Sequence, residues 1–217
     1  MSNFAAARQH MIEGQIKPNQ ITLPALIVAL GEIPRELFVP RALQGVAYVD
    51  EDIAVAPGRY LMEPMVFARL VQALALTPAD LALDVGCATG YSTAVLSRLC
   101  GAVVGLEEDE ALAEKANQLL AELQCDNASV ARGALVAGCP SQGPYDAILL
   151  NGAVEYVPTA LADQLKEGGR LAAVVREEGV GKAVLYVKAD GVLGRRELFD
   201  AAVPPLPGFL APKKFVF

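Results

Sequence analysis

A chain of 217 residues, 53% hydrophobic and 20% charged, can bury one substantial core and needs no more than one α/β domain with an extension. Its formal charge of −7 leaves no basic stripe, so neither nucleic acid nor an anionic membrane surface is an expected partner. Four cysteines, at 87, 100, 125 and 139, show no C-x-x-C spacing, and His10 alone completes no zinc set. No metal is expected, and reduced thiols suit a cytoplasmic protein. The N-terminus lacks the uninterrupted apolar core of a signal peptide, and no run reaches membrane-spanning length.

Phe4, Ala7, Met11 and Gln15 lie along one helical stripe that Lys17-Pro18-Asn19 stops, which predicts an opening amphipathic helix. Leu23 to Leu30 is a second apolar helical stretch. Ile33 to Pro40, reading IPRELFVP, is a proline-bracketed turn of helix. Val55 to Tyr60 reads as a Gly/Pro loop ahead of a helix from Met65 to Leu76. From Leu81 strand and helix patterns alternate: strand 81–85, helix 90–100, strand 102–106, helix 109–123, then strands 128–131 and 146–150. A helix at 159–166 precedes strands 170–175, 183–188 and 195–201. This is βαβ winding with an antiparallel end. Residues 1–78 form an N-terminal helical elaboration, 79–203 an α/β core, and 204–217 a Pro-rich tail ending in aromatics.

The most informative stretch is LALDVGCATG, Leu81 to Gly90, followed by Tyr91-Ser92-Thr93-Ala94-Val95-Leu96. An apolar strand ends on Asp84, enters a Gly-centred turn and leaves as a helix, the geometry of a nucleotide-type cradle. Glu107 closes the next apolar strand about 20 residues further on, where a carboxylate holds both hydroxyls of a ribose. A dinucleotide site requires G-x-G-x-x-G, whose third small residue lets the helix pack on the strand; here the three places hold Gly86, Ala88 and Tyr91. The tyrosine argues against NAD or FAD. S-adenosylmethionine methyltransferases carry an acidic residue and then x-G-x-G-x-G, which fits Asp84, Gly86, Ala88 and Gly90 with one defect. If the turn needs a left-handed residue at Ala88, its methyl costs about 1 kcal/mol. Glycine-rich turns also occur without ligands; Glu107 is what favours a ligand here.

The residues resemble the protein-L-isoaspartate O-methyltransferases over nearly the whole chain. The likeness rests on Met11-Ile12-Glu13-Gly14-Gln15-Ile16, on IPRELFVP from Ile33 to Pro40, on Ala47-Tyr48 and on the glycine turn. Further along, Pro144-Tyr145-Asp146-Ala147-Ile148 and the segment Gln164 to Leu171 extend it. The resemblance implies a three-layer Rossmann-like S-adenosylmethionine-dependent methyltransferase fold, a mostly parallel twisted sheet with an antiparallel end and an N-terminal helical extension. It implies S-adenosylmethionine as cofactor, S-adenosylhomocysteine as product, and isoaspartyl residues of proteins or peptides as substrate. The implied cofactor residues are Asp84, Gly86, Cys87, Ala88, Gly90, Glu107, Glu108, Ala134, Leu135 and Asn151. The implied acceptor side is Arg59, Tyr60, Leu61, Met62 and Glu63.

Three departures from the family pattern bear on activity. The family motif, approximately G-Q-x-I-S-x-P, places a hydroxyl at the acceptor carboxylate; here Gly58-Arg59-Tyr60-Leu61-Met62-Glu63-Pro64 puts Met62 in that place. No catalytic side chain can therefore be assigned. Gly-Asp-Gly at the adenine becomes Gly133-Ala134-Leu135, removing an acceptor worth about 0.5–1.5 kcal/mol. Leu150-Asn151-Gly152-Ala153 replaces Thr-Ala-Ala, where Asn151 either touches a ligand or belongs to a turn. Three readings follow: an isoaspartyl carboxyl methyltransferase of low or altered activity, a methyltransferase for another acceptor, or a cofactor-binding regulatory module without turnover. The sequence sets neither the oligomeric state nor whether the tail covers the acceptor site.

Overall fold

The computed structural model describes residues 3–177 and 179–211. Helix α1, Phe4–Met11, is capped by Asn3 and runs into a wide π turn, Ile12–Ile16, and a 3₁₀ turn, Lys17–Asn19. Helix α2, Pro24–Glu32, starts on a proline at its first turn, where a missing N–H is harmless. The IPRELFVP segment holds a 3₁₀ turn, Arg35–Phe38.

The expected Val55–Tyr60 loop is instead the tip of a hairpin, β1 Ile53–Ala56 and β2 Arg59–Leu61, with Ile53 opposite Leu61 and Ala54 opposite Tyr60. Pro57-Gly58 makes the turn, Gly58 at φ 68°, and the register shift beside it hides the strand alternation in so short a run. Helix α3, Pro64–Ala73, follows; it has no cap of its own at Glu63, and Asp50 accepts from Met65 N at 3.0 Å instead.

Strands β3 Leu81–Val85, β4 Ala102–Glu107 and β5 Ala128–Arg132 pair in parallel, as do β6 Tyr145–Val154 and β7 Leu165–Glu177. Strands β8 Val180–Ala189 and β9 Val192–Asp200 add antiparallel, giving the order β5-β4-β3-β6-β7-β8-β9. Helices α4 Tyr91–Leu96, α5 Glu110–Glu122 and α6 Thr159–Asp163 make the connections. α4 is shorter than the 90–100 pattern predicts: beyond Leu96 the chain tightens into turns, and Ser97 Oγ bonds back to Ala94 O at 2.7 Å.

Alternation on the strands splits the core into two layers. Ala82 and Val103 face a cluster built with Leu26, Phe38, Phe67 and Leu119 from the helical elaboration, α3 and α5. Leu83, Val85, Val104 and Leu106 face a second cluster with Leu135, Leu161, Leu206 and Phe209. The fold is thus three-layered, and β3 sits where the strand order reverses, with β4 on one side and β6 on the other. Ligands of such sheets bind at the carboxyl ends of the strands at that reversal. The covering loop expected after Pro204 is present as far as Ala211; the aromatics at Phe215 and Phe217 lie outside the described residues.

Candidate functional site

The glycine turn leaves β3 with Gly86 at φ 76°, Ala88 at φ 50° and Gly90 at φ 91°. Ala88 therefore occupies the left-handed region and carries the strain that the sequence makes conditional. Its N–H donates to Glu107 Oε2 at 2.8 Å, while Gly86 N donates to Leu106 O at 2.8 Å, tying the turn to the end of β4. Tyr91, the first residue of α4, does not face a cofactor; it is buried edge-on against Phe38 at 5.5 Å and beside Phe67 at 5.6 Å. Thr89 Oγ1 donates to Phe38 O at 2.6 Å, so the IPRELFVP segment clamps the turn from outside.

Asp84 is fully buried and accepts from Ser92 Oγ and Thr93 Oγ1, both at 2.6 Å, and from Asn151 Nδ2. Burial pushes its carboxyl up to about 6, with the two hydroxyls pulling the other way. Asn151 lies within β6, not in a turn, and also donates to Ser92 Oγ at 3.0 Å. Burial, reinforced by Asp84 and Glu107, pushes the Cys87 thiol well up, so the turn holds no thiolate nucleophile.

Glu107 is 0% exposed and fully engaged. Oε1 accepts from Glu108 N at 3.0 Å and Asp109 N at 3.2 Å; Oε2 accepts from Ala88 N and from the Arg59 guanidinium. Arg59 reaches it because β2 alternates: Arg59 and Leu61 point inward, Tyr60 outward. Its ion pair with Glu107 is buried on both sides. Nothing in the sequence announced this pair; an arginine in a loop otherwise reads as a surface charge. Glu108 is exposed, Ala134 is exposed, and Leu135 is committed to the second core layer, not open to a purine. Met62 is buried, its backbone carbonyl accepting from Arg35 at 2.8 Å.

Over the turn, Asp52, Arg59, Met62, Asn151, Gly152 and the segment Val203–Leu206 enclose only about 10 Å³. That is barely one water, against the several hundred cubic ångströms of a small-molecule site. As arranged, these residues do not fit S-adenosylmethionine: the ribose acceptor is engaged by Arg59, and Leu206 lies on the open face of Gly86. Among the described residues no three His, Cys, Asp or Glu side chains cluster so as to hold a metal ion, and no helix is long and apolar enough to cross a membrane.

Glu63 borders this site, and burial together with Asp52, Asp50 and Glu51 pushes its carboxyl up to about 7. A carboxyl raised on folding binds its proton in the folded state first, so its contribution to stability is lost as pH rises from the ordinary carboxylate range through about 7. Melting temperatures measured from about pH 5 to about pH 8 are expected to fall less steeply for Glu63→Gln than for the wild type. Parallel curves would show that the charge is relieved by solvent.

A parallel sheet with a glycine turn and acidic strand ends at its reversal point defines the Rossmann-like methyltransferase class. The profile of the family described as protein-L-isoaspartate(D-aspartate) O-methyltransferase matches residues 6–203, and the chain belongs to that family. It is 34% identical over 209 residues to protein-L-isoaspartate O-methyltransferase 2 of Anaeromyxobacter sp. (strain Fw109-5), covering 96% of this chain and 82% of the relative. It is also 34% identical to the protein-L-isoaspartate O-methyltransferase of Pelotomaculum thermopropionicum, covering 95% and 90%. Among solved structures, a protein-L-isoaspartate O-methyltransferase superposes with a TM-score of 0.80 at 26% identity, covering 93% of this chain and 66% of that one. A Plasmodium falciparum structure assigned to the same family, solved in complex with S-adenosyl-L-homocysteine, shares the fold with a TM-score of 0.79 at 20% identity, covering 95% and 99%. The family is one of enzymes whose methyl donor is S-adenosylmethionine.

Proposed function

We propose that this chain is a low-turnover carboxyl methyltransferase of the isoaspartyl type, acting in the cytoplasm on isoaspartyl residues of proteins or peptides. Residues 1–217 work as one domain, with acceptor contacts from Tyr60, Leu61, Met62 and Glu63 and cofactor contacts around the Gly86 turn, Glu107 and Glu108; Arg59, expected on the acceptor side, is instead paired with Glu107. The family match across residues 6–203 carries this reading, and the four free cysteines support a reducing compartment. With the Gly86 face open, S-adenosylmethionine would supply an activated methyl group, and the substrate carboxylate would itself be the nucleophile. The protein then has to align, desolvate and hold, with no proton to move.

Low turnover follows from what the alignment lacks. Met62 stands where the family has a hydroxyl, and a buried thioether donates no hydrogen bond to a carboxylate. Methyl incorporation into an isoaspartyl peptide is therefore expected to run about tenfold below that of the Pelotomaculum thermopropionicum relative under matched conditions. Met62→Ser should recover up to about tenfold, the worth of one hydrogen bond. Wild-type turnover equal to the relative's would overturn the low-turnover reading.

A further inference from the structure

We propose that Arg59 and the strap Val203–Phe209 form an internal plug that holds the S-adenosylmethionine site shut, as a built-in competitor for the cofactor. This rests on the reading of the Gly86 turn as that cofactor's site. The Arg59 guanidinium takes the place of the ribose diol on Glu107, and Leu206 takes the ground beside Gly86.

The two plug residues converge on one spot. A methyl built on Gly86 would fall 2.5 Å from Leu206 Cδ1 and 3.2 Å from the Arg59 guanidinium, so both line the face that a glycine leaves open for close approach. Glu107 has no oxygen to spare for a ribose while Arg59 is in place: Oε1 is held by two backbone N–H groups, and Oε2 by Ala88 N and the guanidinium. Arg59 in turn finds no other acceptor among the described residues, its Nε being buried without a partner. Each member therefore depends on the other, which makes the pair self-consistent without a ligand.

The strap is fastened along the end of strand β6. Ala153 N donates to Pro204 O and Leu206 N to Ala153 O, both at 2.8 Å, and Glu155 N donates to Phe209 O at 3.0 Å. Pro205 bridges Ala153 in parallel register, so the segment sits as a short added strand. Prolines at 204 and 205 hold it extended and lack only N–H groups that this pairing does not use. Leu206 and Phe209 are buried in the second core layer, and the strap backbone passes close to Gly152, where an added methyl would lie 3.2 Å from Pro204 O. Arg59 and Leu206 must both leave before a nucleoside enters, and a ligand that binds only an opened minority has its apparent affinity reduced by that fraction.

The test is a calorimetric titration of S-adenosylhomocysteine into the wild type, Arg59→Gln, Leu206→Gly and the double variant. Glutamine is the residue that the family motif carries at this place. The double variant is expected to bind at least about tenfold more tightly than the wild type, with each single variant between them. Melting curves with and without about 1 mM S-adenosylhomocysteine guard against a variant that folds poorly: the ligand should raise the transition of Arg59→Gln more than that of the wild type. Equal affinity in wild type and double variant overturns the plug, as does a folded double variant that gains no binding. A double variant that binds tightly yet methylates no isoaspartyl peptide supports the plug and removes the proposed function. A wild type that binds tightly and methylates does the reverse.

Discussion

Replacing Glu107 by alanine is expected to lower the melting temperature of the ligand-free protein by roughly 10 °C. The loss has two sources. Arg59, whose side chain is only 6% exposed, would be left as an unpaired buried charge. The N–H groups of Ala88, Glu108 and Asp109 would lose their acceptor at the same time. Breaking a buried pair from one side costs about 3–5 kcal/mol, and in a domain of this size each kcal/mol moves the transition by about 2–4 °C. Removing both charges, as Arg59→Met with Glu107→Leu, should recover part of the loss, because an apolar pair of similar volume needs no compensation. Thermal melts of the single and double variants measure the coupling. A Glu107→Ala protein as stable as the wild type, or more so, would mark the carboxylate as a group kept for a ligand at a cost in stability.

Arg35→Ala is expected to destabilise the chain by about 3–5 kcal/mol, because it leaves a large cavity and two buried carbonyls without their donor, and to disturb the acceptor hairpin with it. Arg35 is fully buried in the IPRELFVP segment and has no carboxylate partner among the described residues. Its Nε donates to Ala47 O at 2.7 Å, one terminal nitrogen donates to Met62 O at 2.8 Å, and its guanidinium lies 4.9 Å from the Tyr91 ring centre. Burial lowers its affinity for the proton, with Tyr91, Tyr48 and Asp52 opposing. One side chain thus joins the elaboration, the hairpin and the first residue of α4. Lysine should not rescue it, since a single ammonium cannot reproduce a planar fork aimed at two carbonyls and stacked on a ring. Chemical denaturation of Arg35→Ala and Arg35→Lys tests this, and a lysine variant of wild-type stability would reduce Arg35 to a generic buried cation.

The segments that carry the family resemblance meet in space for the same reason that Arg35 matters. Arg8 pairs with Glu36 at 3.2 Å and donates to Tyr48 Oη at 2.8 Å, and Tyr48 donates in turn to Glu36. α1, IPRELFVP and Ala47-Tyr48 are therefore one polar knot under the elaboration. Their separation in sequence concealed the knot, because each pairing spans at least a dozen residues and no local pattern encodes it.

Much of the fold is legible from local chemistry alone. Apolar runs of β length alternating with helical stripes specified the parallel sheet, since period 2 and period 3.6 patterns bury different faces. Glycines at 86 and 90 and the acid at 107 specified a cofactor-type turn between the first strand of the core and its helix, and the strand order places it at the sheet's reversal point. The family follows from those segments together. Which groups occupy the turn, by contrast, is set by long-range packing. Arg59 and Glu107 are 48 residues apart, and Gly86 and Leu206 lie further apart still, so no window of sequence holds both members of either contact. A short strand beside a Pro-Gly turn aimed the arginine inward, and a proline-rich tail that reads as loop was drawn across the strand ends by the apolar surface left bare under Leu206 and Phe209. Burial then made the ion pair mutually dependent, since Arg59 has no other acceptor among the described residues and each charge is compensated only by the other.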